Sequence, residues 1–151
     1  MATRGEKTIL VGVPLSVFWA TITDYLAYPS ILDDVTSAEI RERSGADVTV
    51  AFTIRVLLKG FDYTLRMREE APHTLSWTLV SSATLAQNDG GWRLEAVSPT
   101  ETRVTYWNEV AARAWIPKTF INALIRIALP SMLRRWQTHA EQRHASGMTR
   151  S

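Results

Sequence analysis

The side chains able to do chemistry on a small molecule are few in this chain, and their spacing argues against most catalytic constellations. Asp33 and Asp34 are adjacent carboxylates. A proton-sharing pair must face each other, and neighbours along a helix do not, so a helix end is the expected role. His139 and His144 lie five residues apart, on different helix faces, unlike the i, i+4 pair of a His-Glu-x-x-His metal site. They are expected at a solvated helix end, and His73, between Pro72 and Thr74, in a surface turn. The chain has no cysteine, which removes thiolate nucleophiles, disulfides and thiolate metal sites. There is no Gly-x-Ser-x-Gly elbow. Asn88 to Gly91 is too short for a phosphate loop and leads into a strand rather than a helix. No catalytic set, metal or cofactor is expected.

What remains is a small group of polar residues on otherwise apolar strand faces. In Thr102–Val110, the residues Val104, Tyr106, Asn108 and Val110 share one face, opposite Thr105, Trp107 and Glu109. If the first set points inward, Asn108 is an amide among apolar neighbours. Burying it unpaired costs about 1–3 kcal/mol, so it either bonds backbone or water, or meets a ligand. The opposite phase would bury Trp107 and expose Tyr106. Tyr63 and Glu69 lie on the apolar parity of their own strand. The Tyr63 hydroxyl either faces a ligand or reaches the rim. Glu69, near the strand end, is expected at the rim; deep inside, its pKa would rise and suit it to proton transfer.

The elements that must position these groups are legible from periodicity. Thr8–Val13 reads as a strand ended by Pro14, and Ser16 as the cap of a short helix reaching Asp24. A second short helix is expected over Ala27–Asp33. From Thr36 the period becomes two. In Val48–Lys59 the even positions Val48, Val50, Phe52, Ile54, Val56 and Leu58 are apolar, and in Phe61–Glu69 the odd ones mostly are. Leu75, Trp77 and Leu79 continue the pattern after a turn at Pro72–Thr74. Asn88-Asp89-Gly90-Gly91 is a strong turn signal, and Ser98-Pro99-Thr100 is another. Short strands at this spacing make an antiparallel meander. Pro117 opens a last helix, whose stripe is Phe120, Ile121, Leu124, Ile125, Ala128, Met132, Leu133 and Trp136. Pro130 should kink it between Arg126 and Pro130.

Size and composition set the frame. The 151 residues suit a single domain over 1–151, with an ordered core of about 7–144. Apolar residues at 46% and charged residues at 21% are an ordinary globular mix rather than a disordered one. No apolar run reaches the ~18 residues of a membrane span. Met1–Thr8 has no apolar core of a secretory signal, so a cytoplasmic location is expected. Net charge is only +2. Lys118, Arg126, Arg134, Arg135, Arg143 and Arg150 crowd the stretch from Lys118 to the C-terminus, where Glu141 is the only acid. They are not interleaved with exposed aromatics, which speaks against nucleic acid. Trp115, beside Ile116-Pro117 and this basic helix, would suit peripheral membrane contact or a loop packed over a cavity mouth.

The run Ile9–Tyr25 followed by Tyr28-Pro29, the Asp89–Leu94 segment Asp-Gly-Gly-Trp-Arg-Leu, and Thr105-Tyr106 before Pro117 together resemble the START-like superfamily. The resemblance covers about Lys7 to His144 and is strongest to its coenzyme Q-binding and polyketide cyclase/dehydrase branch. It implies an α+β helix-grip fold: a curved antiparallel sheet of about six to seven strands wrapped around a long C-terminal helix, with two short helices after the first strand. It also implies an apolar cavity between sheet and helix. Inward parity places there Phe52, Ile54, Val56, Tyr63, Leu65, Met67, Trp77, Leu79, Tyr106, Asn108, Ile121, Leu124, Ile125 and Ala128. The expected function is to bind, sequester or transfer a hydrophobic small molecule such as a lipid, an isoprenoid quinone or a polyketide-like aromatic, without catalysis. The alternatives are a polyketide aromatase/cyclase, working by chain folding and proton transfer, and an interaction protein whose grip is filled by its own side chains.

Overall fold

A computed structural model describes residues 2–56, 59–123 and 128–149, with the side chains of Val56, Lys59, Met148 and Thr149 left aside. Its strands are β1 (Thr3–Val11), β2 (Val35–Ser44), β3 (Asp47–Val56), β4 (Lys59–Glu70), β5 (Thr74–Ser82), β6 (Leu85–Ser98) and β7 (Glu101–Ala112). They form one antiparallel sheet in the order β1-β7-β6-β5-β4-β3-β2. Strands β2 to β7 are therefore a meander, and β1 pairs with the last of them from Thr3↔Val110 to Val11↔Thr102. Helix α1 (Leu15–Ile22), a 3₁₀ turn (Tyr25–Ala27) and helix α2 (Tyr28–Ile31) join β1 to β2. Helices α3 (Lys118–Asn122) and α4 (Leu129–Thr149) follow the sheet.

Side-chain alternation gives the sheet one buried face: Val48, Val50 and Phe52 on β3, Leu65 and Met67 on β4, Leu75 and Trp77 on β5, Trp92 and Leu94 on β6, and Val104, Tyr106 and Val110 on β7. Leu129, Leu133, Trp136 and Ala140, at helical spacing on α4, are buried against it. Aromatic rings fill the space at one end. Trp136 meets Trp92 edge-on at 5.6 Å and Tyr28 at 4.9 Å, while Phe18 of α1 packs on Trp92 at 5.4 Å. Two surface ion pairs hold α4 to the α1–β2 connection, Arg135 to Asp33 at 2.5 Å and Arg143 to Asp24 at 3.6 Å.

Four expectations change. Strand β1 starts at Thr3, before the anticipated core, because β7 offers backbone partners along that whole length. Helix α1 starts at Leu15 after Pro14, so Ser16 lies inside it and is no cap. Asn88–Gly91 is not a turn but the middle of β6. Its glycines serve close approach: a Cβ on Gly90 would lie 2.6 Å from the Trp107 carbonyl oxygen, 2.7 Å from Trp77 and 2.8 Å from Asn108 Oδ1, and one on Gly91 would collide with the Trp107 ring. Finally, Pro130 occupies the first turn of α4 rather than a helix interior, where its missing N–H removes no helical bond. The Ala128 N–H donates to the Ala123 carbonyl at 3.2 Å, an i+5 span of π-helical type. The anticipated kink otherwise falls on residues outside those described.

Gly90→Ala should therefore lower unfolding free energy in urea by about 1–3 kcal/mol, as overpacking does. Gly45→Ala, at φ 61° with open space around it, should cost about 1 kcal/mol from backbone strain alone. A Gly90→Ala protein as stable as wild type would show that Trp77 and Asn108 have room to retreat.

Candidate functional site

At the other end Phe120 of α3, rather than a ring of α4, reaches the sheet, at 5.6 Å from Phe61 of β4, and a cavity of about 330 Å³ opens. Ile54, Phe61 and Tyr63 come from β3 and β4, Leu85 and Asn88 from β6, and Tyr106, Asn108 and Val110 from β7. Phe120 and Ile121 of α3 and Ala128, Leu129 and Met132 around the start of α4 close the opposite wall. Leu32, Asp33, Asp34, Ser131 and Arg135 stand where α2 and α4 approach each other, so the charges of the lining gather at that mouth.

The polar groups of the sheet wall are neutral. Burial holds the Tyr63 hydroxyl up at about 12. Burial likewise raises Tyr106, helped by Tyr63 beside it, while a side-chain hydrogen bond from Asn108 pulls back in part. The Asn108 Oδ1 is buried with no partner among the described residues. Asn88 Oδ1 is satisfied by the Trp77 indole N–H at 3.2 Å.

Of the residues expected around a ligand, Ile54, Tyr63, Tyr106, Asn108, Ile121 and Ala128 line this cavity. Phe52, Leu65, Met67, Trp77 and Leu79 do not; they form the packed layer beside it. Phe52 lies between the Tyr28 and Tyr63 rings at 5.5 and 5.6 Å. The Val56 side chain, Leu124 and Ile125 fall outside the described residues. Phe61 and Val110, which share the inward parity of Tyr63 and Asn108, line the cavity too. Asn88 was hidden by its turn-like neighbours, and nothing in the local sequence marks the mouth residues.

Other candidates find partners elsewhere. Glu69 accepts from the Tyr25 hydroxyl at 2.5 Å and from Arg43 at 3.2 Å, outside the cavity lining. His73 Nδ1 lies 3.1 Å from the Leu94 carbonyl oxygen. No group of three or more His, Asp or Glu with metal-binding proximity occurs among the described residues. No helix of the described residues is long and apolar enough to cross a membrane.

A seven-stranded antiparallel sheet gripping a C-terminal helix, with a cavity between them, is the START-like arrangement, and comparison with known proteins agrees. The chain belongs to the polyketide cyclase/dehydrase and lipid transport family, whose model matches residues 11–136. Among solved structures it is similar to the Zhui aromatase/cyclase from Streptomyces sp. R1128, with a TM-score of 0.86 at 17% identity over 95% of this chain and 96% of that one. A START superfamily protein from Mycobacterium smegmatis matches with a TM-score of 0.81 at 13% identity over 92% and 97%. A STAR-related lipid transfer protein fragment from Xanthomonas axonopodis matches at 0.75 and 14% over 90% and 84%. At these identities the likeness establishes the fold. No functionally curated protein matches the sequence.

All four tyrosines of the chain are held above their ordinary pKa, burial being the largest cause in each. The folded state keeps protons that the unfolded chain sheds near pH 10, so stability is intact below pH ~10 and falls as pH rises above it, through about 12 for Tyr63. The slope should reach up to ~1.4 kcal/mol per pH unit for each tyrosine. Tyrosinate absorbance should accordingly appear together with unfolding; ionisation near pH 10 in the folded protein would contradict the buried placement.

Proposed function

We propose that this chain is a single ligand-binding domain that sequesters or transfers one hydrophobic small molecule, held in the cavity between the sheet and helices α3 and α4. The observation that carries the reading is the cavity itself, about 330 Å³ of largely apolar space in a core that is otherwise closely packed by aromatic rings. That volume lies at the lower end of small-molecule sites. It favours a compact ring system, such as a polyketide-like aromatic or a quinone head, over a two-chain lipid. Affinity would come from apolar burial, roughly 2.5 kcal/mol for each 100 Å² removed from water.

Carriage is favoured over cyclisation by the lining. Proton transfer needs a group whose pKa lies near the working pH. Tyr63 and Tyr106 are held protonated far above it, and the carboxylates Asp33 and Asp34 stand at the mouth, away from the closed end. The partly filled grip keeps the interaction-protein alternative for the Trp92–Trp136 end alone.

Native mass spectrometry of protein purified from its own host, followed by denaturing extraction, tests the reading. The expected result is a co-purifying apolar adduct, lost in Ala128→Phe, which places a ring in the cavity while circular dichroism stays unchanged. An empty wild-type protein that also fails to take up small aromatic probes would sink the proposal.

Delivery from a membrane is part of the same proposal. Trp115 is 64% exposed in the connection between β7 and α3, flanked by exposed Arg113 and Lys118 and next to the helix whose Phe120 and Ile121 line the cavity. On α4 itself, Arg135 and Arg143 are already paired with acids, and the exposed indole makes the loop the better contact. Trp115→Ala should reduce co-sedimentation with anionic phospholipid vesicles several-fold; equal binding by both proteins would remove the membrane from the account.

A further inference from the structure

The tyrosine hydroxyls of this chain are of two kinds. Those of Tyr25 and Tyr28 donate to Glu69 and to the Ile22 carbonyl. Those of Tyr63 and Tyr106 donate to no described residue, and both residues line the cavity. Tyr63 is the better placed to meet a ligand. Its ring lies on Phe52 at 5.6 Å. It packs against the main core and also against the smaller cluster of Leu85, Val110 and Ile121, all three cavity-lining. The Tyr106 ring instead meets Trp92 at 4.8 Å and Trp77 at 5.8 Å, in the packed layer.

The Tyr63 hydroxyl points into the cavity. Burial holds its pKa up at about 12, so protein encloses it and it does not stand on the outer surface. Its ionisation would oppose that of Tyr28 and of Tyr106, whose rings are on the inner face of the sheet. The hydroxyl is also open to water. Among the described residues, Asn108 Oδ1 is the partnerless side-chain atom that is closed to solvent; the Tyr63 oxygen, equally without a partner, borders open space.

A free phenol donor on an apolar wall constrains what the cavity can hold. A purely apolar occupant would displace the water that serves this donor and leave it unbonded. A carbonyl oxygen would satisfy it and bring no proton of its own. That second property matters because the amide oxygens of the lining are not on offer: Asn88 Oδ1 accepts from the Trp77 indole, and Asn108 Oδ1 is closed off. An ionised ligand group is disfavoured as well. The ionised residues of the described lining, Asp33, Asp34 and Arg135, stand at the mouth, so a charge beside Tyr63 would be desolvated without a counter-charge.

We propose that Tyr63 is a specificity-determining residue of the cavity, its hydroxyl donating a hydrogen bond to the carbonyl oxygen of a neutral, otherwise apolar ligand. This rests on the cavity-binding reading above and adds to it the chemical class of the ligand, a carbonyl-bearing ring rather than a plain hydrocarbon.

Equilibrium dialysis of the whole chain at pH 7 with 2-acetylnaphthalene and 2-isopropenylnaphthalene tests it. The two probes share a ring system and a flat side group, and differ in a C=O against a C=CH2. Tyr63→Phe keeps the ring on Phe52 and removes the donor. It should weaken the ketone about tenfold, which corresponds to ~1.4 kcal/mol, and leave the alkene unchanged. Comparing each probe between the two proteins cancels the difference in its own hydration. The infrared carbonyl stretch of bound 2-acetylnaphthalene supplies a readout that a merely structural role would not move. It should lie lower in wild type than in hexane, and return towards the hexane value in Tyr63→Phe. A wild-type stretch as high as in hexane would overturn the assignment to Tyr63 whether or not the variant folds. Equal loss of both probes in Tyr63→Phe, loss of neither, or wild-type binding of the alkene alone would do the same and leave the cavity reading standing. Binding of neither probe by wild type would overturn the cavity reading and this proposal with it.

Discussion

The packing of Trp92 against Trp136 is the constraint on which the rest of the molecule depends. An antiparallel sheet with one apolar face must be covered, and α4 covers it. Two indoles meeting edge-on at 5.6 Å, with Phe18 and Tyr28 around them, set how near the helix can come. Each of these rings buries a large apolar area, so this end of the grip is where helix and sheet are tied. At the other end Phe120 of α3 meets Phe61 of β4 but no ring of α4 reaches the sheet, and the gap left there is the cavity.

Chemistry follows from this division. The filled end satisfies its own polar atoms: the Tyr28 hydroxyl donates to the Ile22 carbonyl at 2.6 Å, the Tyr25 hydroxyl to Glu69, and the Thr102 hydroxyl to the Val13 carbonyl at 2.8 Å. Among the described residues the open end leaves one acceptor unsatisfied, at Asn108. Low-dielectric surroundings keep Tyr63 and Tyr106 protonated. Under the proposed function, such a site holds a neutral molecule by shape and a few hydrogen bonds. Its ionised groups stand at the mouth, where water screens them.

Much of the fold was legible because it rests on periodicity. The alternation in Val48–Ile54 and Phe61–Glu69 places the buried face without reference to anything distant. The Val104–Val110 parity put Asn108 inward for the same reason. Asn88–Gly91 is the exception. Asn-Asp-Gly-Gly carries the local signature of a turn, and tertiary packing overrides it: the glycines sit in a strand because Trp77 and Trp107 lie across them. A local rule cannot register a clash with residues an entire strand away. Pro130 shows the converse, since its position in a first turn depends on where α4 begins, which the apolar stripe alone does not mark.

Composition and spacing by themselves determined the class of architecture, the absence of cysteine chemistry, and which strand faces are apolar, since these depend only on residue type and a period of two or 3.6. Which inward residues meet a cavity and which meet each other was decided by tertiary structure. Phe52, Met67 and Trp77 share the parity of Ile54 and Tyr63, yet they pack into the core while the latter pair face open space. The difference arises from the height at which α4 crosses the sheet, a long-range quantity fixed by the contact of rings 44 residues apart in sequence, Trp92 and Trp136.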